Sequence, residues 1–119
     1  MRGLKTKIKR MKKEAGRGTF RWFVLNTIEK EGSDNIESYI SDVLTYGCIN
    51  GTVGALTYTS DVHRVFDRYY SDIDDVVSEV KEEFGEVENR YDLDVKTFYT
   101  FLAFEETVRD IAEDLGLDI

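Results

Sequence analysis

The sequence predicts an all-α fold, a compact bundle of about five or six helices that begins with a basic amphipathic helix. Apolar residues recur at spacings of three and four along most of the chain, which is the period of an α-helix. Proline is absent, so no residue removes a backbone N–H or kinks a helix. Of the 119 residues, 41% are hydrophobic, which is enough for one modest core in a single domain.

The first predicted helix is basic and has a narrow apolar stripe. The stripe consists of Leu4, Ile8, Met11 and Ala15. The glycines of the segment 16–18 predict a helix end or a hinge. Thr19 can cap a second helix that reaches about Lys30, is apolar around much of its circumference and ends at Gly32.

A third helix is predicted to begin near Ile36 and to stop near Gly47, since its apolar residues fall at i, i+3, i+4, i+7 and i+8. Two residues compete to cap it. Asp34 has the capping-box spacing to a glutamate three residues later, and Ser33 is the alternative.

The second half of the chain predicts two longer helices. Residues 48–59 favour a short tight helix over an extended segment, because no partner strand is evident for them. Ser60 is predicted to cap a helix of about six turns that is ended by Gly85. A last helix is predicted from a cap at Asp94 to Leu115.

Charge is divided unevenly along the chain. Residues 1–30 hold ten of the sixteen Lys and Arg residues and two acids, whereas residues 31–119 hold the other six bases and twenty-two acids. We therefore divide the chain into a basic N-terminal helix or arm, residues 1–18, and an acidic helical domain, residues 19–119. Asymmetry of this kind usually reflects the choice of partner rather than the fold.

The sequence predicts no enzyme, no cofactor and no metal site. Cys48 is the only cysteine and His63 the only histidine, and nothing pairs them as nucleophile and base. The motifs of phosphate-binding loops, hydrolase elbows and zinc proteases are missing. No secretory signal and no apolar run of 18 residues occurs, so the expected location is the cytoplasm of a host cell, without membrane contact.

One carboxylate, Glu105, is predicted to lie inside the apolar stripe of the last helix, while Glu106 points outward beside Asp110. A buried carboxylate needs a partner, because burial of an unpaired charge is costly. Arg109 is the local candidate, and three arginines on other helices are alternatives: Arg21, Arg64 and Arg68. A structural pair is favoured over a catalytic or metal-binding role.

The basic N-terminal helix has several possible partners. Its candidate binding residues are Lys5, Lys7, Lys9, Arg10, Lys12, Lys13 and Arg17. They could contact nucleic-acid phosphates, or an acidic surface of the same chain or of a second copy in a homo-oligomer. An anionic membrane is disfavoured, since the apolar stripe is small and contains no aromatic residue. A solvated helix without a partner is the simplest interpretation.

The long acidic helix suggests a second kind of interface. Its candidate partner-binding residues are Asp67, Asp72, Asp74, Asp75, Glu79 and Glu82. Carboxylates along a helix of about 35 Å could imitate the phosphates of a duplex, which carries about one charge per 1.7 Å of axis. Tyr69 and Tyr70 could anchor a partner at the edge of this face. A solvated face that keeps the protein in solution is the alternative.

Parts of the chain resemble a family of small bacteriophage proteins of unknown function. The similarity covers about residues 33–119 and rests on Gly47-Cys48, on the stretch from Gly51 to Tyr58 and on the motif from Ala103 to Thr107. Val108 stands where a smaller residue is expected. The resemblance implies a phage origin, assigns no activity and transfers no functional residue.

Together these observations give two expectations. The first is a phage-encoded binding protein that inhibits a host nucleic-acid-handling protein by occlusion or duplex mimicry, for example an anti-CRISPR inhibitor of a CRISPR nuclease. The alternative is a small nucleic-acid-binding accessory protein that acts through the basic N-terminal helix.

Overall fold

The computed structural model describes residues 2–46, 72–86 and 95–118. This part of the chain forms five α-helices and no β-strand, which confirms the predicted all-α bundle. The helices are α1 (Arg2–Ala15), α2 (Phe20–Glu31), α3 (Ile36–Tyr46), α4 (Ile73–Phe84) and α5 (Val95–Asp114). None of the described helices is both long and apolar enough to cross a lipid bilayer.

The core forms around α2 and α5. Helix α2 packs against α1, α3 and α5, and α5 also packs against α3 and α4. The most completely buried large side chains come from all of these helices except α4. They are Ile8, Phe20, Val24, Leu25, Ile28, Ile40, Val43, Phe104, Val108 and Ile111. The apolar periodicity of the sequence thus identified the packed sides of α1, α2 and α3, whereas in α5 the buried Phe104 was not among the predicted core residues.

Helix α1 belongs to this core. Ile8 is fully buried, and Leu4, Met11 and Ala15 pack against the same cluster. The helix ends where predicted, because Gly16 adopts φ of +85° and its N–H bonds to the carbonyl of Lys12. The assignment of residues 1–18 as a separate segment stays a prediction, although the helix it contains is packed on the bundle.

The N-cap of α2 is confirmed and that of α3 is corrected. The hydroxyl oxygen of Thr19 accepts a hydrogen bond from the N–H of Trp22 at 3.1 Å. At α3, the carboxamide oxygen of Asn35 accepts from the N–H of Ser38 at 3.0 Å. The predicted caps Ser33 and Asp34 are therefore wrong, because the helix starts at Ile36 and only the residue directly before it can reach that N–H.

Gly32 separates α2 from α3 because the two helices approach closely there. A Cβ atom at this position would lie 2.8 Å from the carbonyl oxygen of Ile28 and 3.1 Å from the Cβ of Tyr39. Only glycine fits such a gap without movement of the backbone. The predicted end of α2 at this glycine is confirmed.

The predicted continuous helix from Ser60 to Phe84 is interrupted at Asp72, which is not helical. The described helix starts at Ile73, and Asp72 is its N-cap, with φ −96° and ψ 6°. The carbonyl of Asp72 accepts the first helical bond from Val76. The predictions for residues 48–59 and 60–71, for Cys48 and His63, and for the cap at Asp94 lie outside the described residues.

A hydrogen bond links the end of α4 to α5. Helix α4 ends at Gly85, which has φ of +64°, a conformation that favours glycine. The hydroxyl of Tyr99 in α5 donates to the carbonyl of Gly85 at 2.7 Å. This bond fixes the C-terminal end of α4 against the first turns of α5.

Candidate interaction surfaces

The outer side of α1 is a basic face. Its exposed cations are Lys5, Lys7, Lys9, Arg10 and Lys13, and Arg17 is exposed just after the helix. Lys5, Lys9 and Lys13 recur at every fourth residue and form what we call the basic stripe, about 12 Å long at 1.5 Å per residue. Because Ile8 anchors the packed side of the same helix, the stripe has a fixed orientation.

Lys12 differs from the other predicted cations because its charge is used inside the molecule. Its Nζ atom donates to Oδ1 of Asn26 and to Oε1 of Glu29, both at 2.9 Å. It also lies 5.0 Å from the ring centre of Trp22, and the guanidinium of Arg17 lies 5.6 Å from the same ring. Lys12 therefore holds α1 against α2 and is not available to a partner, which the spacing of the basic residues did not reveal.

The exposed side of α4 is acidic. Of the predicted acidic residues, Asp74, Asp75, Glu79 and Glu82 are exposed. Asp75, Glu79 and Glu83 recur at every fourth residue, and we call them the acidic stripe. Its length, about 12 Å, equals that of the basic stripe. Asp67, Tyr69 and Tyr70 lie outside the described residues.

Asp72 has a structural contact that the sequence analysis missed. Its Oδ1 accepts a hydrogen bond from the backbone N–H of Phe20 at 3.0 Å. This N–H is one of the groups at the start of α2 that have no partner within the helix, and the carboxylate also suits the positive end of the helix dipole. Asp72 thus ties the start of α4 to the start of α2. The sequence signal for this helix start was the position of Asp72 directly before a first turn that contains two acids, Asp74 and Asp75.

A group of charged residues lies where α4 meets α5. Burial raises the pKa of Glu106 above its ordinary value, Glu83 and Asp110 raise it further, and Arg109 acts in the opposite direction. The Nε atom of Arg109 lies 3.5 Å from Oε1 of Glu106. The side chain of Glu106, which was predicted to point outward, is partly exposed at 26%. Glu105 is half-buried.

Potential metal ligands are dispersed in the described part of the chain, where no three His, Cys, Asp or Glu side chains are grouped to hold an ion. A half-open groove of about 460 Å³ lies between the start of α1 and the start of α3. Its lining combines Leu4 and Lys5 with residues 33–37.

The family model of a domain of unknown function, DUF7222, matches residues 7–117. The chain belongs to this family. No curated protein and no solved structure matches the chain.

The DUF7222 match extends further toward the N-terminus than the resemblance noted in the sequence. The resemblance noted in the sequence began at about residue 33, whereas the DUF7222 match begins at Lys7 and includes most of α1. Ile8, Met11 and Lys12, which bind α1 to the bundle, all lie within the match. The docked basic helix is therefore part of the DUF7222 domain.

Proposed function

We propose that this DUF7222 protein is a nucleic-acid-binding accessory protein that contacts phosphates through the basic face of α1. The observation that carries the proposal is the exposed basic stripe, Lys5, Lys9 and Lys13, on a helix whose other side is anchored by Ile8. Docking fixes the helix before a ligand arrives, so binding does not require the helix to fold.

The dimensions of the stripe suit a phosphate backbone. A duplex presents about one charge per 1.7 Å of axis, so a stripe of about 12 Å faces roughly seven phosphates. Lysine is a flexible point charge, which favours contact with phosphates over the reading of bases. Because the whole chain has a formal charge of −8, the rest of the protein repels nucleic acid and directs contact to α1.

Fluorescence anisotropy with labelled duplex DNA, duplex RNA and single strands over a series of NaCl concentrations tests this proposal. We expect the logarithm of the binding constant to fall linearly with the logarithm of salt concentration, with a slope of about −0.9 for each phosphate contacted on DNA. Lys9→Gln should reduce the magnitude of the slope by about 1.

Lys30→Gln is the matched control, because it removes the same charge from an exposed position outside α1. It should leave the salt dependence unchanged. If Lys9→Gln and Lys30→Gln weakened nucleic-acid binding equally, the effect would come from net charge and not from the basic stripe. If no probe showed salt-dependent binding, the proposal would be refuted.

A second candidate function uses the acidic face and retains the phage origin. Here the protein would inhibit a host nucleic-acid-handling protein, such as a CRISPR nuclease, by covering its basic channel. Asp75, Glu79 and Glu82 support this idea, since they are exposed and form no ion pair within the described part of the chain. Phe84, with 42% of its surface exposed at the end of the same helix, is the exposed large apolar side chain of α4.

Asp72 is not free to join this second interface, because its carboxylate accepts a hydrogen bond at the start of α2. The described acidic helix α4 is about 18 Å long. By itself it is long enough to cover a small basic patch.

Pull-down from host lysate with mass spectrometry tests the second candidate. A basic nuclease, polymerase or repressor should be retained by the wild type and lost with Glu79→Lys/Glu82→Lys. Glu37→Lys/Asp42→Lys reverses two exposed acids of α3 and should retain the partner. Recovery of the same proteins with both double variants would exclude α4 as the binding surface.

A further inference from the structure

We propose that copies of this protein associate head to tail, with the basic stripe of one copy lying against the acidic stripe of the next. The contact would join Lys5, Lys9 and Lys13 of α1 to Asp75, Glu79 and Glu83 of α4 in a second copy. This inference does not depend on nucleic-acid binding or on inhibition of a host protein.

The two stripes match in spacing and length. In each, charged side chains repeat at every fourth residue over three positions, so neighbouring charges are about 6 Å apart along the axis and the stripes are about 12 Å long. Two helices that pack side by side could therefore pair all three positions at once. Both stripes are also held on fixed supports, α1 by Ile8 and α4 by Val77 and Val80.

The six charges are available for such a contact. All six side chains are exposed, and none forms an ion pair within its own copy among residues 2–46, 72–86 and 95–118. Lys81, the one cation within α4, lies 5.3 Å from the ring centre of Tyr99 on α5.

The overall charge of the protein favours this orientation over others. A formal charge of −8 makes random approach of two copies repulsive, and α1 is the one strongly basic helix in the described chain. Approach of α1 to the acidic stripe replaces repulsion by attraction. Because the contact uses two different faces, each copy keeps one face of each kind, and the association continues into a chain or closes into a ring.

Sedimentation velocity and light scattering on nuclease-treated protein test the inference. At low ionic strength the average mass should exceed the 13.8 kDa of one chain and should increase with protein concentration. At 1 M salt the Debye length is about 3 Å, so the attraction between the stripes is screened and the average mass should return to that of the monomer. A monomeric protein at all salt concentrations would overturn the proposal.

Two neutralised variants identify the surfaces. Lys5→Gln/Lys9→Gln/Lys13→Gln lacks the basic stripe, and Asp75→Asn/Glu79→Gln/Glu83→Gln lacks the acidic stripe. Each variant alone should be monomeric at low salt. An equimolar mixture should form a 1:1 heterodimer, in which the intact basic stripe of one variant contacts the intact acidic stripe of the other. Association should stop there, because the heterodimer has no further intact stripe. Continued self-association of either variant alone, or a mixture that stays monomeric, would overturn the assignment.

A control variant removes three exposed acids elsewhere, Glu31→Gln/Glu37→Gln/Asp42→Asn. It should associate as the wild type does, and circular dichroism should show the same helix content in all variants. Loss of association in this control would attribute the effect to net charge and refute the stripe contact. The variant without the acidic stripe should still bind DNA, so failure of self-association and failure of nucleic-acid binding can be told apart.

Discussion

Replacement of Ile8 by alanine tests whether α1 is a structural part of the bundle. The side chain of Ile8 is fully buried, and Ile8→Ala removes three carbon groups at about 0.8 kcal/mol each. A cavity adds to this loss, and the better helix propensity of alanine recovers a few tenths of a kcal/mol, so we expect a net cost of about 2–4 kcal/mol. A cost of this size is a large share of the roughly 5–15 kcal/mol that stabilise a typical domain.

Denaturation by urea and by heat measures this loss. At about 4 °C per kcal/mol for a chain of this length, the melting temperature should fall by roughly 8–16 °C. Thr6→Ala, at an exposed position of the same helix, should change stability by less than about 0.5 kcal/mol. If Ile8→Ala were as mild as Thr6→Ala, the docking of α1 on the bundle would be refuted.

Three further predictions concern polar contacts. Lys12→Met should cost about 1–2 kcal/mol in urea denaturation, since it leaves Glu29 half-buried without its cation, and Glu29→Gln should recover part of the loss. Asn35→Ala should cost about 1 kcal/mol, whereas Ser33→Ala should be nearly neutral. The raised pKa of Glu106 means that its charge destabilises the fold above that pKa and that the penalty is removed as pH falls toward and below the ordinary value of 4.5. Glu106→Gln should therefore raise the melting temperature at pH 7, and its advantage should shrink on acidification; an advantage that grows at low pH would contradict this.

Local sequence signals were sufficient for the ends of the first helices. The glycines around Arg17, the threonine cap at Thr19 and the glycine at Gly32 each act within one turn of the backbone. The apolar spacing likewise indicated the packed side of α1, including the anchoring residue Ile8. These features depend only on residues that are close in the sequence, so they can be predicted from the sequence.

Contacts between distant segments were not accessible in the same way. The periodic apolar pattern continued through Asp72, and it concealed a helix start whose carboxylate bonds to Phe20, 52 residues earlier. Lys12 looked like any other lysine of α1, yet it bonds to Glu29 of the next helix. In both cases a charged residue bonds to a residue of another helix. The spacing of residues within one helix carries no information about such a partner.

The docking of α1 decides how its function has to be tested. Deletion of residues 1–16 would remove the basic stripe, but it would also expose the core around Ile8 and leave Glu29 without Lys12. Loss of nucleic-acid binding or of self-association in such a truncation would therefore be explained equally well by loss of folding. Neutral substitutions in the basic stripe avoid this problem, because exposed lysines contribute little to the core. If the stripe is the binding surface, Lys5→Gln/Lys9→Gln/Lys13→Gln should abolish binding while the melting temperature changes by only a few degrees.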